Sequence, residues 1–186
     1  MARARRRRAG SGRQHAILKC LAELHPEGAG ADIWGTTDAF QFAYTAPLDI
    51  NETVMARVSS EDGSNPFAKP GVMFRNGLGP DAAFVMLDVK PDGTLEFMAR
   101  TFDGDAVVYL GTGHISFGSA SYIRLVGAAP TVTASYSNDN GASWTTIGSA
   151  EPHYFPASLV VGLVVCSHDE SALNTAVFEN VSAFAN

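Results

Sequence analysis

From residue 28 onward, apolar and polar positions alternate with a period of two, in short runs broken by clusters of Gly, Pro, Asn and Asp. That period places successive side chains on opposite faces of a pleated strand, so each run predicts a strand with one face packed. The predicted strands cover 39–44, 53–59, 71–76, 82–89, 94–102, 106–110, 121–126, 131–137, 144–147, 159–167 and 175–183, and no window carries a helical period over a helical length. Many short strands at close spacing bury their apolar faces as a sandwich or a barrel. The expected fold is one all-β domain over 28–186, a two-sheet antiparallel jelly-roll sandwich.

The turns carry matching chemistry. Lys90-Pro91-Asp92-Gly93 places Pro and Asp for a type I turn and Gly for the left-handed residue that follows, so its flanking runs form a hairpin. Asp103-Gly104-Asp105 and Asn76-Gly77 are similar breaks. Alternation puts Phe40, Phe42 and Tyr44 on one side of their strand, and Phe84, Met86 and Asp88 on one side of another. Leu95, Phe97 and Ala99 oppose Glu96, Met98 and Arg100. The apolar sets are expected in the core.

A chain of 186 residues that is 46% hydrophobic and 17% charged suits a single folded core and excludes wholesale disorder. The formal net charge of −6 conceals an asymmetry, because seven of 13 basic residues lie in the first nineteen positions. From position 20 onward six basic residues face 19 acidic ones, a balance of −13. Such a body repels phosphate backbones, so no nucleic-acid partner is expected for it. Residues 1–27 read as a basic, disordered tail or a replaced first strand. The apolar run 16–22 is short and interrupted by Lys19, a poor secretion signal, and no stretch is long enough to span a bilayer, so no membrane partner is expected. Cys166 closes an apolar run as a small buried hydrophobe, whereas Cys20 belongs to the tail, and no bridge between them is expected.

Four of the six cations of the body, Arg57, Arg75, Arg100 and Arg124, fall inside predicted strands. Guanidinium groups on rigid strands present planar donors suited to sugar hydroxyls, and equally pair across strands with Glu96 or Asp88 on an ordinary solvated face. The run Ser137-Asn138-Asp139-Asn140-Gly141-Ala142-Ser143-Trp144 has the S-x-D-x-G-x-x-W form of an Asp-box hairpin. There Asp139 is expected to accept turn N–H bonds while Trp144 packs beneath the loop.

Catalytic patterns are missing. The E-x-D-x-x-E arrangement that sets two carboxylates around one glycosidic bond does not occur, and Asp88, Asp92 and Glu96 flank a turn. There is no G-x-S-x-G elbow, and His15, His25, His114, His153 and His168 have no common metal-ligand spacing. No cofactor is expected. A structural calcium is the exception left open, held by loop oxygens such as Asp32, Asp38, Asp49 and Asn180 without any EF-hand pattern.

Six motifs occur in an order that resembles the bacterial DUF1349 family, also called regulation-of-enolase-protein-1-like. They are Gly30-Ala31-Asp32-Ile33-Trp34-Gly35, Asp38-Ala39-Phe40, Ala68-Lys69-Pro70-Gly71-Val72-Met73-Phe74-Arg75, the Ser137 to Trp144 box, Val161-Gly162-Leu163 and Ser167-His168-Asp169. The resemblance covers 28–186 and implies a concanavalin A-like jelly roll of the kind appended to secreted glycoside hydrolases. It further implies a polysaccharide or oligosaccharide partner and an extracellular or cell-surface location. Phe67 stands where members carry Trp, Asn76 where they carry Glu, and Glu179 where they carry Asp. The family's first strands precede Gly30, a place taken here by the arginine-rich segment, and a missing strand would leave an open edge for self-association.

These readings converge on a non-catalytic carbohydrate-binding domain with Trp34, Phe67, Lys69, Arg75, Asn76, Arg100, Tyr109 and His168 as candidate contacts. Trp34 reads as a core anchor or an aromatic platform, and His168 as a loop-bonding group or a ligand contact. One alternative is a glycan hydrolase or lyase of the same fold, which requires two carboxylates meeting in a cleft. Another is a structural or surface interaction module that uses the open edge.

Overall fold

The structure, a computed structural model, describes residues 21–24, 27–45, 50–62, 65–118, 120–153 and 159–185. Its strands are β1 (Leu21–Leu24), β2 (Glu27–Gly30), β3 (Asp32–Trp34), β4 (Thr37–Ala39), β5 (Gln41–Thr45), β6 (Glu52–Glu61), β7 (Gly71–Asn76) and β8 (Phe84–Val89). They continue with β9 (Thr94–Arg100), β10 (Val108–His114), β11 (Tyr122–Ala128), β12 (Thr131–Ser137), β13 (Thr145–Ala150), β14 (Leu159–Val165) and β15 (Asp169–Ala185). No helix occurs among the described residues.

Two antiparallel sheets stack face to face. One runs β1-β15-β6-β11-β12-β13 with β2 also on β15, the other runs β10-β9-β8-β7-β14-β5, and β3 and β4 form a separate hairpin. The inward faces are the alternating apolar sets: Val54, Ala56, Val58, Ile123, Leu125 and Phe178 meet Val72, Phe74, Val85, Leu87, Leu95, Phe97, Val161 and Leu163. Each Val, Leu, Ile or Phe side chain taken from water contributes about 1.5–3 kcal/mol, which makes this the main favourable term of the fold.

The six-stranded sheet is buried on its other face too. Met73, Phe84, Met86, Met98, Val164 and Cys166 point away from the sandwich interior and pack with Ile33, which the β3–β4 hairpin inserts over the sheet. β8 is consequently enclosed along its whole length, and Phe84 and Met86 lie in this second layer, apart from the central core. Cys166 is a free, buried thiol, pushed up to about 11 by burial.

Three differences from the sequence reading stand out. The expected strand 106–110 is β10, which continues through Gly111 and Gly113 to His114. A Cβ on Gly111 would lie 2.8 Å from Ile147, and one on Gly113 2.7 Å from the Tyr136 ring, so these glycines permit close passage over β13 and β12. The expected strand 39–44 splits into β4 and β5 around Phe40. Finally, β1 and β2 both pair with β15, Leu21 opposite Val181 and Gly28 opposite Asn174, so they occupy the edge that a missing first strand would have left open. The arginine run, His15, Cys20, His25 and Asp49 lie outside the described residues.

Candidate functional site

Above the second layer the hairpin delivers Asp38, whose side chain has 0% exposure, between Arg75 at 2% and Arg100 at 0%. Asp38 Oδ2 accepts Arg75 Nη1 at 2.7 Å and Arg100 Nη1 at 2.8 Å, and Oδ1 accepts Arg100 Nη2 at 2.7 Å. The remaining donors go to backbone carbonyls: Arg75 Nη2 to Gly79 at 2.6 Å, Arg100 Nε to Asp105 at 2.8 Å and Arg100 Nη2 to Gly35 at 3.1 Å. Both guanidinium groups also lie near the Phe84 ring, at 5.7 and 5.1 Å from its centroid. Burial pulls the Arg75 guanidinium below its ordinary range, and the adjacent Asp38 carboxylate opposes that. The exposed, sugar-facing arginines expected from the sequence are therefore corrected at Arg75 and Arg100: a guanidinium roofed by a hairpin must give its donors to protein acceptors.

What the hairpin leaves uncovered lies along β5, the edge strand. Phe40, Phe42 and Tyr44, expected in the core, stand in a row on the outer face instead, Phe40 and Phe42 half-buried and Tyr44 36% exposed. Successive ring centroids are 5.8 and 5.5 Å apart, with planes turned 56° and 27° from one another. Arg75 braces the first ring from beneath, 5.1 Å from the Phe40 centroid. Gly162 sits opposite Tyr44, and a Cβ there would meet the Ala43 carbonyl at 2.1 Å, so only glycine lets β5 lie this close to β14. Two shallow depressions flank Phe40. One, of about 190 Å³, is lined by Asp38, Arg75, Phe42, Leu78 and Pro80; the other, of about 300 Å³, by Ala29, Gly30, Gln41 and Glu170.

A second polar cluster joins three segments of the chain. Lys69 Nζ donates to Asp32 Oδ1 at 2.5 Å, His168 Nε2 lies 3.3 Å from Asp32 Oδ2, and the Phe67 ring tilts against the His168 ring at 5.3 Å. Asn65 ties the loops, donating to the His168 carbonyl at 3.3 Å and accepting the Phe67 N–H at 2.9 Å. Burial works against the Lys69 charge, but the bond to Asp32 and the nearby Asp88 hold its ammonium above the ordinary range. Phe67, Lys69 and His168 thus do come together, with Asp32, although Lys69 is buried.

Asp88 is fully enclosed, and neither of its carboxyl oxygens has a hydrogen-bond partner. It faces Gly71 on one side and Glu96 on the other. Burial first, and then the Glu96 charge, push its carboxyl well above the ordinary value, against the pull of Lys69.

The other candidates are dispersed. Asn76 donates to Asp103 at 3.3 Å, and Trp34 is exposed at the β3–β4 turn. Tyr109 is exposed on β10, the opposite edge of the sheet from β5, so it shares no site with the aromatic row. Arg57 pairs with Glu179, and Arg124 lies 3.7 Å from the Trp144 ring centroid. Asp139 accepts the Ser143 N–H at 2.8 Å and the Ser143 and Ser137 hydroxyls, which draw its carboxyl down to about 2. Of the oxygens suggested for calcium, Asp32 and Asp38 are held in the ion pairs above and Asn180 donates to the Tyr122 hydroxyl at 2.7 Å. No group of three or more His, Cys, Asp or Glu stands ready for a metal among the described residues.

Comparison with known structures places this geometry in a familiar fold. A functionally unknown protein from Saccharomyces cerevisiae matches with a TM-score of 0.58 at 15% identity, covering 92% of each chain. An immunostimulatory antigen and pseudo β-1,3-glucanase of Mycobacterium tuberculosis matches at 0.53 and 13% identity, over 89% of this chain and 76% of that one. A GH43 protein from Bacillus licheniformis matches at 0.51 and 15% identity, over 79% of this chain and 33% of that one. The fold is a concanavalin A-like jelly roll. No family model matches the chain, and no curated protein matches it.

Two outcomes follow from the buried charges. Asp38→Ala strands two guanidinium groups out of water and lowers stability by about 3–5 kcal/mol in chemical denaturation. Asp88 buries the protonated form, so its contribution turns unfavourable above the ordinary value of 3.8 and worsens with pH until its folded pKa is reached. Asp88→Asn therefore stabilises the protein relative to the parent at neutral and alkaline pH and loses that advantage in acid, as thermal unfolding across pH will show.

Proposed function

We propose that this chain is a non-catalytic carbohydrate-binding domain whose contact surface is the β5 row, Phe40, Phe42 and Tyr44, with the two depressions beside Phe40. The observation that carries the proposal is the row itself. Three aromatic side chains, Phe42 and Tyr44 of β5 and Phe40 just before it, stay partly in water beside polar groups that are already oriented. Aromatic faces pack against the C–H surfaces of sugar rings, and fixed polar groups at their margin take up hydroxyls.

Four carboxylates of the strands and hairpin around the roofed sheet face favour binding over cleavage. Asp38 is saturated by two arginines, Asp32 is shared between Lys69 and His168, Glu96 pairs with Lys90 at 3.4 Å, and Asp88 is sealed. Two carboxyls free to flank a glycosidic bond are what a hydrolase of this fold requires. The resemblance of the chain to the DUF1349 family is what suggests a role outside the cell, and a fold shared with a pseudo β-1,3-glucanase and part of a GH43 protein supports a carbohydrate partner.

Affinity electrophoresis through gels containing soluble polysaccharides tests the proposal. Phe42→Ala and Tyr44→Ala each weaken retardation about tenfold, while Trp34→Ala and Tyr109→Ala leave it unchanged. Retardation that survives loss of the row, or that disappears with Tyr109, contradicts it.

A further inference from the structure

Resting on that reading, we infer that the ligand is an uncharged polysaccharide, bound as a single extended chain along β5, and that acidic glycans are excluded. Charge supplies the first argument. Recognition of a uronate or sulfate ester calls for cationic donors with free valence at the surface. Five of the six cations of the domain are held by carboxylates, Arg57 by Glu179, Lys69 by Asp32, Arg75 and Arg100 by Asp38 and Lys90 by Glu96, and the sixth, Arg124, stacks on Trp144 from β11 of the other sheet, away from the row. Among the described residues that line the depressions, the exposed charged group is the carboxylate of Glu170, beside Gln41. A carboxylate accepts hydroxyl protons readily and repels another carboxylate. The balance of −13 from position 20 onward acts in the same direction at longer range.

Shape supplies the second argument. Centroid spacings of 5.8 and 5.5 Å correspond to about one hexopyranose unit of an extended chain per ring. The planes turn by 56° and 27° along the row. A flat crystalline surface needs coplanar rings to touch several parallel chains at once, whereas a single chain in solution twists to follow rotated ones. Depressions on both sides of Phe40 leave room for hydroxyls on either edge of such a chain.

Isothermal titration at low ionic strength with soluble xylan, mixed-linkage β-glucan, glucomannan and polygalacturonate, together with depletion by crystalline cellulose, tests the inference. The expected result is binding to at least one neutral polymer, lost in Phe42→Ala, with no polygalacturonate heat that depends on Phe42, any Phe42-independent heat being that of the basic first nineteen residues, and no depletion by the crystalline solid. Binding of polygalacturonate that Phe42→Ala abolishes overturns the exclusion of acidic glycans while leaving the β5 surface intact. Depletion by crystalline cellulose that depends on Phe42 overturns the single-chain geometry in the same limited way. Absence of binding to any polymer overturns both this inference and the function on which it rests.

Discussion

A carboxylate with no contact to water holds two arginines from different strands of one sheet, and the surface of this protein is organised around that contact. Asp38 arrives on the β3–β4 hairpin; Arg75 and Arg100 rise from β7 and β9 on either side of Phe84. Two guanidinium groups on a roofed sheet face would be costly if left to themselves, and one well-placed carboxylate with several backbone carbonyls satisfies them. The ion triad thus fixes where the hairpin lies. The hairpin in turn seals Met73, Met86 and Met98 beneath Ile33 and converts the middle of the sheet face from an open groove into a second packed layer.

Once the centre is filled, the margin becomes the surface that counts. β5 is the last strand of its sheet, and the roof ends beside it, so Phe40 and Phe42 rest one edge on the second layer while their other side meets solvent. Gly162 permits close approach of β14, and Arg75 braces Phe40, so the row is rigid without being buried. Rigidity of this kind lowers the ordering cost of binding, which matters for a ligand that offers mainly C–H faces and hydroxyls.

Much of the sandwich was legible from alternation alone, since Val54, Ala56 and Val58 or Leu95, Phe97 and Ala99 go where period two puts them. Alternation also showed that Phe40, Phe42 and Tyr44 share a side, but it says nothing about which side faces the core. That depends on β5 being an edge strand and on where the hairpin stops, both long-range facts. One local signal was available. The run from Ala82 to Leu87 has no polar alternation, which is what a strand covered on both faces looks like, and it foretold the second layer that buries Arg75 and Arg100. Their partner could not be read, because Asp38 is 37 and 62 residues away in sequence. The expected strand 106–110 stopped short of Gly111 and Gly113, glycines that mark close packing against β13 and β12.

The central claim is that the roofed sheet leaves β5 as the contact surface. Chemical-shift mapping of backbone amides in the isotope-labelled protein, titrated with a soluble xylan oligosaccharide, examines it most directly. The account predicts the largest changes across 39–45 with further changes at Gly30, Leu78 and Glu170. Changes centred on Phe67 and His168, or on β10, would contradict it.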